Sequence, residues 1–144
     1  MSSPAFPASV HVVAGALFDA SGRVLIAQRP AGKHMAGGWE FPGGKLEAGE
    51  ERFAGLQREL REELGVEAHS GEPLICYEHD YPDRRVRLDL WLVTQFTGEP
   101  QSRDGQALQW VELKDLNKVG LLEADQPMIP ALQRVDSWAF GCRL

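Results

Sequence analysis

The sequence predicts an α/β fold in which a mixed β-sheet is sandwiched between helices. Short apolar runs bounded by turn-forming residues are typical of strands, and they recur along most of the chain. Two stretches instead carry apolar residues at the three- and four-residue spacing of a helix. With 144 residues, the chain has the length of one domain whose core needs no disulfides. We therefore expect residues 1–144 to form a single domain.

The chain begins with two predicted strands. Residues 10–19 are rich in Val, Ala and Leu and end at a turn sequence, and residues 23–29 follow as the second strand of a hairpin. Residues 30–38 contain proline, three glycines and no periodicity, which indicates a loop. A short extended piece at residues 39–41 is expected to end at the Pro-Gly-Gly sequence of residues 42–44.

The clearest predicted helix follows this loop. Phe53, Leu56, Leu60 and Leu64 recur at helical spacing and form one apolar stripe. Gly65 is well placed to end the helix, because glycine readily adopts the left-handed conformation that follows a last helical turn.

The second half of the chain predicts a hairpin, a short strand and a helix. Residues 73–81 and 86–96 are the two hairpin strands, joined by a turn at residues 82–84. Alternation of leucines with other residues gives the second of these strands two unlike faces. Residues 108–113 are predicted as a strand and residues 126–140 as a helix with prolines in its first turn.

The composition disfavours several classes of protein. A net charge of −6 argues against binding long nucleic acids through their phosphates, although a divalent cation would still admit a small phosphorylated substrate. No apolar stretch approaches the length of a membrane span, and the N-terminus lacks the basic residues of a signal peptide. Cys76 and Cys142 lie far apart and are expected to be free thiols. We expect a cytoplasmic protein.

A cluster of acidic residues marks the periodic helix. Seven of the 21 acidic residues lie within residues 47–67, together with three arginines. Glu59, Glu62 and Glu63 are spaced i, i+3 and i+4, so they share one helix face beside the apolar stripe. Crowded carboxylates suit a hard cation, Mg²⁺ or Mn²⁺, with substrate phosphate as a further ligand. A solvated helix face is the alternative interpretation of the same cluster.

These residues match a family signature. Gly44, five residues, Glu50, seven residues and then Arg-Glu-Leu-Arg-Glu-Glu-Leu-Gly-Val at residues 58–66 reproduce the Nudix box. A spaced pattern of this length is far more specific than a lone glycine motif. The chain therefore resembles the Nudix hydrolases, which implies the Nudix fold. Further segments resemble the MutT branch of that family, namely residues 27–30, 34–36, 40–45, 81–84 and 98–100.

The resemblance implies a metal-dependent chemistry for the acidic face. The implied metal ligands are the carbonyl of Gly43 and the side chains of Glu59, Glu62, Glu63 and Asp104, the last standing where the family has glutamate. Glu59, Glu62 and Glu63 are the implied catalytic residues, and Glu59 is expected to activate or orient the attacking water. Divalent cations neutralise triphosphate charge and lower the pKa of a bound water. In the MutT branch the products are a nucleoside monophosphate and pyrophosphate.

Four residues of the box are expected to be structural. Gly44 and Gly65 shape the backbone at the two ends of the motif, and Arg58 with Glu50 holds the loop against the helix. A surface ion pair of small energetic worth is the alternative for Arg58 and Glu50.

The resemblance also implies a nucleotide pocket. Its residues are Gln28, His34, Glu40, Phe41, Pro42, Gly43, Tyr81, Arg84 and Asp125. The MutT branch has Arg in place of Gln28 and Asn in place of Asp125. An ionised Asp125 only accepts hydrogen bonds, so it would suit the amino group of cytosine or adenine, unless protonation lets it pair with 8-oxoguanine. Capping of the following helix is the alternative role of Asp125.

The leading hypothesis is a Mg²⁺-dependent pyrophosphohydrolase of (d)NTPs that removes oxidised nucleotides such as 8-oxo-dGTP from the pool used in DNA replication. Hydrolysis of CTP or 5-methyl-dCTP, as in a neighbouring branch, is the second hypothesis. A sensor that binds a nucleotide without cleaving it is the third. We expect a small-molecule substrate as the partner, with no nucleic acid polymer and no membrane. A monomer is expected, with a dimer left open.

Overall fold

The structure is a computed structural model that describes residues 10–32 and 35–135 of the chain. Its strands are β1 (Val10–Ala16), β2 (Val24–Gln28), β3 (Trp39–Glu40), β4 (Gly43–Lys45), β5 (Glu67–Tyr81), β6 (Arg84–Thr97) and β7 (Leu108–Val111). Its α-helices are α1 (Arg52–Leu64) and α2 (Met128–Gln133), and two 3₁₀ helices span Leu113–Lys118 and Glu123–Asp125.

The strands form two sheets. The larger sheet has the order β4-β1-β6-β5, and β1 runs parallel to β6 but antiparallel to β4, so this sheet is mixed. The smaller sheet has the order β3-β2-β7 and is antiparallel. The predicted α/β architecture with a mixed sheet is confirmed, although its strands are divided between two sheets. The predicted hairpin of β5 and β6 is also confirmed.

The predicted hairpin of residues 10–19 and 23–29 forms only next to its turn, and the predicted pairing of β1 with β2 is wrong. Both edges of β1 are occupied by β4 and β6, so β2 pairs in the other sheet. The chain makes only an isolated bridge between Phe18 and Val24 as it passes from one sheet to the other. The short extended piece ends at Glu40, before the Pro-Gly-Gly sequence as predicted, but the two glycines of that sequence begin a new strand, β4, which pairs with β1.

Alternating residues of the central strands face two separate hydrophobic clusters, as the two-residue period of a strand requires. Val13 and Leu25 belong to one cluster, whereas Ala14 and Ile26 belong to the other. The cluster with Val13 contains the α1 leucines Leu56, Leu60 and Leu64. The cluster with Ala14 contains the α2 residues Met128, Ile129 and Leu132. The two helices therefore cover opposite faces of the β-structure.

Helix α1 is fixed at both ends by its own sequence. Glu51 is the N-cap residue, and its side chain accepts a hydrogen bond of 3.1 Å from the backbone N–H of Ala54. Gly65 adopts the left-handed conformation with φ of 70°, and its N–H donates to the carbonyl of Arg61. The predicted end of the helix at Gly65 is confirmed.

Helix α2 begins at Met128, two residues later than the sequence predicted. Its N-cap residue is Pro127, and no side chain caps it. Residues 136–140 of the predicted helix lie outside the described residues. Across the two described ranges, no helix has the length and apolar character needed to cross a membrane.

Candidate active site

The three glutamates of the acidic face of α1 lie in different surroundings. The side chain of Glu59 is 14% exposed, whereas that of Glu62 is 61% exposed and lies on the outer surface. Glu63 is half-buried and lines a cavity next to the helix. The spacing that places the three residues on one face therefore brings Glu59 and Glu63 inward and leaves Glu62 at the rim.

Two glycines bring the backbone of β4 close to this face. A Cβ atom on Gly43 would overlap the carbonyl oxygen of Val13, and one on Gly44 would overlap the carboxylate of Glu59. No side chain fits at Gly43, and one at Gly44 would require the Glu59 carboxylate to move. The bare backbone of β4 therefore packs directly against the Glu59 carboxylate, which a larger residue would push away.

The electrostatics of Glu63 reflect crowding of negative charge. Burial, above all, raises the pKa of the Glu63 carboxyl to about 8. The charges of Glu59, Glu40 and Asp104 add to this rise in pKa, and a backbone hydrogen bond from Gly43 opposes it. Several acids therefore converge here without enough positive charge to balance them.

Arg58 connects the loop after β4 to helix α1. Its guanidinium donates to both oxygens of Glu50 at 2.8 and 3.0 Å, to the carbonyl of Lys45 at 3.1 Å and to Glu59 at 3.1 Å. These bonds lower the pKa of Glu50 to about 2. The side chains of Arg58 and Glu50 are only 19% and 16% exposed. This shielding and the bidentate geometry fit a buttress and do not fit an exposed ion pair.

A cavity of about 290 Å³ opens beside Glu63. Six of the residues expected to contact the nucleotide line it: Glu40, Phe41, Gly43, Tyr81, Arg84 and Asp125. Much of the remaining wall is apolar, with Val12, Ala14, Val86, Leu88 and Met128. An apolar wall with a few polar groups is typical of a small-molecule site.

Asp125 is a buried acid in the wall of this cavity. It is 7% exposed and accepts a hydrogen bond of 3.3 Å from the backbone N–H of Phe41. Burial first, and the charge of Glu40 second, raise the pKa of Asp125 to about 7. The capping role is wrong, because α2 begins at Met128 and its N-cap is Pro127.

A second cavity of about 100 Å³ adjoins the first and shares Glu40 and Glu63 with it. Asp104 lines this smaller cavity, and its backbone N–H donates to Gln106 Oε1 at 3.0 Å. The same oxygen accepts a hydrogen bond of 2.8 Å from Ser102 Oγ. Gln106 therefore holds the loop that brings Asp104 to the acidic face.

Two of the residues expected to contact the nucleotide, Gln28 and Pro42, do not line the larger cavity. Gln28 lines the smaller cavity, and its Nε2 donates to the carbonyl of Gly37 at 3.0 Å, which ties the preceding loop in place. Pro42 also lines the smaller cavity. Glu62 pairs with Arg58 at 3.2 Å on the outer side of the helix. His34 lies outside the described residues.

Sequence reasoning missed three residues of the site. Arg29 lines both cavities and donates to the two carboxylate oxygens of Glu40 at 3.1 and 3.3 Å. The hydroxyl of Tyr77 donates to the carbonyl of Ala124 at 2.6 Å and so supports the wall of the larger cavity beside Asp125. Gln106 positions Asp104 as described above. Of these three residues, only Arg29 lies in a sequence segment that resembles the family, the Ala-Gln-Arg-Pro sequence of residues 27–30.

The acidic face fits a divalent cation. Glu63 lines both cavities, Gly43 lines the larger one and Asp104 lines the smaller one, and the charge of Glu59 acts on the Glu63 carboxyl. An oxygen-only set of this kind is preferred by hard cations. Burial first, and the neighbouring acids second, raise the pKa of Glu63, and a bound cation would favour its ionised form.

Two bacterial enzymes are similar in sequence to most of this chain. It is 41% identical over 122 residues to the CTP pyrophosphohydrolase of Escherichia coli (strain K12), covering 85% of this chain and 90% of that protein. It is 35% identical over 126 residues to the 8-oxo-dGTP diphosphatase of the same strain, covering 88% of this chain and 98% of that protein.

Solved structures show the same fold. The solution structure of the E. coli ORF135 protein matches with a TM-score of 0.80 and 38% identity, covering 90% of this chain and 92% of that one. A MutT structure from a study of Aliivibrio salmonicida and Vibrio cholerae matches with a TM-score of 0.75 and 36% identity, covering 87% and 97%. The model of the NUDIX domain family matches residues 13–131, which include every carboxylate of the acidic face. The chain therefore belongs to the NUDIX domain family and is a Nudix hydrolase.

Proposed function

We propose that this protein is a Mg²⁺-dependent pyrophosphohydrolase that cleaves nucleoside triphosphates to the monophosphate and pyrophosphate. One observation carries the proposal: Glu63 lines both the larger, mostly apolar cavity and the smaller cavity that contains Asp104. A nucleobase in the larger cavity would leave its phosphates at the acidic junction. Mn²⁺ is the alternative cation. The enzyme would act in the cytoplasm on the nucleotide pool used in DNA replication.

The proposed mechanism assigns a role to each residue of the junction. Glu59, Glu63, Asp104 and the backbone of Gly43 would hold the cation, which supplies charge neutralisation for the phosphates and a lower pKa for water. Glu59 takes the proton of the attacking water, because burial raises the pKa of its carboxyl and makes it a stronger base than an exposed glutamate. Arg58 donates to Glu59 Oε2, which leaves Oε1 to accept that proton.

The first candidate base is 8-oxoguanine. Asp125 has a pKa of about 7, so a large share of it is neutral at physiological pH. A neutral carboxyl offers one donor and one acceptor, as Asn does, and these match O6 and the N7–H of 8-oxoguanine. Tyr81, with Arg84 located 5.3 Å from its ring centre, offers an aromatic surface beside the base. An 8-oxo-dGTP diphosphatase among the relatives supports this candidate.

The second candidate base is cytosine. The ionised form of Asp125 accepts hydrogen bonds only, which suits the exocyclic amino group of cytosine. Glu40 lines the same cavity and offers a further acceptor. The relative named CTP pyrophosphohydrolase, with 41% identity, supports this candidate.

Pyrophosphate release with Mg²⁺ tests the proposal on a panel of 8-oxo-dGTP, dGTP, CTP and 5-methyl-dCTP. We expect kcat/KM to be highest for 8-oxo-dGTP and well above that for dGTP. A higher value for CTP or its methylated form would assign the base pocket to cytosine. Tight binding of a nucleotide without any pyrophosphate release would overturn the proposal in favour of a sensor.

A further inference from the structure

Three side chains able to bind a metal meet on the sheet face that packs against α1. They are His11 in β1, Cys76 in β5 and Asp89 in β6, and their ligand atoms all lie within 4.8 Å of one another. His11 has the same orientation along β1 as Val13, which contacts the α1 leucines. Val12 of the same strand lines the large cavity instead. This cluster, the His-Cys-Asp cluster, is therefore separate from the nucleotide site.

Strand register explains why these residues meet. Cys76 lies directly opposite Asp89 in the antiparallel pair of β5 and β6. Val13 is the partner of Asp89 in the parallel pair of β1 and β6, so His11 lies two residues earlier on the same face. Three neighbouring strands thus contribute one potential ligand each, from positions that the sheet holds rigidly.

The donor set differs from that of the acidic face. His11 Nε2 lies 3.0 Å from Asp89 Oδ2, and Asp89 is completely buried, whereas Cys76 is exposed and opens the cluster to solvent. Nitrogen, sulfur and oxygen ligands together are typical of Zn²⁺, with a fourth position left for water. Mg²⁺ prefers oxygen ligands alone.

Arg52 currently neutralises the buried carboxylate. Its Nε and Nη2 donate to the two oxygens of Asp89 at 2.6 and 2.8 Å, and its guanidinium lies 5.0 Å from the ring centre of Trp91. The Arg52 side chain is 42% exposed, so it reaches solvent without crossing the core. A cation bound by Asp89 and the Cys76 thiolate would replace this positive charge, and Arg52 would then be solvated.

We propose that His11, Cys76 and Asp89 form a second metal site for Zn²⁺ or a similar borderline-soft cation, with Arg52 as its competitor. On binding, the Cys76 thiol releases its proton to solvent and its sulfur binds the metal as a thiolate. Asp89 exchanges the N–H groups of Arg52 for the metal. The proton that His11 Nε2 shares with Asp89 is replaced by one on Nδ1, taken from solvent as the Nε2 proton is released to it, so that His11 binds through the freed lone pair of Nε2. The site is independent of the proposed hydrolase activity.

Cobalt spectroscopy tests the proposal directly. The Cys142→Ser variant leaves Cys76 as the only thiol in the chain. With excess Mg²⁺ present to occupy the acidic face, adding Co²⁺ to this variant should produce a thiolate-to-cobalt charge-transfer band that saturates at one ion per chain. Zn²⁺ should bleach the band, whereas further Mg²⁺ should leave it unchanged. Absence of the band, both here and after Arg52→Gln is added, would overturn the site.

Further substitutions in the same background identify the ligands. Cys76→Ser should abolish the band, and His11→Ala or Asp89→Asn should weaken Co²⁺ binding by at least about tenfold. His69→Ala is the matched control, because this β5 histidine bonds Thr97 and lies outside the cluster. If the His11→Ala and Asp89→Asn variants bind Co²⁺ as tightly as the Cys142→Ser parent, then Cys76 binds the metal alone. That result would overturn the three-ligand site.

Arg52→Gln separates a metal site from a purely structural ion pair. Removing the competing guanidinium should tighten Co²⁺ binding by roughly tenfold, the size of one charge-assisted hydrogen bond. If Arg52 and Asp89 form only a structural ion pair, the Arg52→Gln variant should be less stable and should not bind Co²⁺ more tightly. Far-UV circular dichroism checks that each variant folds, and the Arg52→Gln result decides the question if Asp89→Asn does not fold.

Discussion

The two ends of the proposed nucleotide site are built by different means. The carboxylate end consists of Glu59 and Glu63, one turn apart on α1, and Gly44 of the neighbouring strand. At the base end, Asp125 meets the backbone of Phe41, a residue 84 positions away in the chain. Local spacing therefore builds the end where the phosphates would react, and long-range packing builds the end where the base would bind.

The two ends also differ in the number of acidic residues that surround the buried carboxyl. At the carboxylate end, burial is joined by three neighbouring acids in raising the pKa of Glu63. At the base end, burial acts on Asp125 with Glu40 as the one acid that adds to the rise in pKa. The first environment favours a cation, and the second favours a carboxyl that exchanges between neutral and ionised forms near neutral pH.

Glu63→Gln should have the largest effect, because it removes a charge from the carboxylate end. We expect kcat to fall by at least about a hundredfold for every nucleotide, since the group acts on the phosphates and not on the base. The melting temperature of the metal-free protein should stay the same or rise, because a buried carboxyl with a raised pKa becomes a neutral amide. Pyrophosphate release measures kcat, and thermal melts measure the melting temperature. Glu67→Gln, at the exposed Glu67–Arg61 pair, is the control, and an active Glu63→Gln enzyme would refute the assignment.

Gly44→Ala tests whether close approach of β4 is needed at the carboxylate end. The new Cβ would overlap the Glu59 carboxylate and force it to move. We expect kcat to fall by roughly tenfold to a hundredfold, because a displacement of about 1 Å is enough to disrupt proton transfer. The ratio of kcat/KM values between bases should stay constant. Steady-state kinetics on two nucleotides measures both quantities, and an unchanged kcat would show that Glu59 does not need the glycine.

Asp125→Asn changes the base end alone. Asn keeps one donor and one acceptor at every pH, so kcat/KM for 8-oxo-dGTP relative to CTP should rise by about tenfold. In the unmodified enzyme this ratio should fall as the pH rises through about 7, because Asp125 ionises and loses its donor. In the variant the ratio should be independent of pH. Competition assays between pH 6 and pH 8 measure the ratio, and an unchanged ratio would exclude Asp125 as a base contact.

Sequence reasoning predicted those parts of the fold that depend on neighbouring residues. The leucine stripe of α1, its end at Gly65 and the hairpin of β5 and β6 all follow from periodicity and turn residues. The hairpin of β1 and β2 was wrong, because the turn after β1 does not reveal that β4 and β6 occupy both edges of that strand. Strand pairing across long separations is set by packing, which local patterns do not contain.

The same limit applies to the site. The spacing of Glu59 and Glu63 placed them on one helix face, and the structure brings both to β4. The sequence left Asp125 undecided between a base contact and a helix cap, because its hydrogen-bond partner Phe41 is distant in the chain. The role of Gln106 in holding Asp104 had no local pattern that would reveal it.

Glu50→Gln should have the smallest effect, since it weakens a support of the carboxylate end without touching the phosphates. Arg58 holds the pKa of Glu50 at about 2, below its ordinary value of 4.5, so the charge of Glu50 stabilises the fold above about pH 4.5. That stabilisation is lost as the pH falls towards 2. We expect the variant to melt a few degrees lower at pH 7 and to converge with the unmodified protein in acid.

Thermal melts from pH 7 to pH 2 measure this convergence. Glu47→Gln is the matched control, because Glu47 is 70% exposed and its carboxylate lies 3.8 Å from the same arginine. If the melting temperatures of the Glu50→Gln variant and the unmodified protein differ by the same amount at every pH, the charge of Glu50 adds no stability. In that case Arg58 would support the acidic face through its bonds to Lys45 and Glu59, and the carboxylate end would depend on α1 and β4 alone.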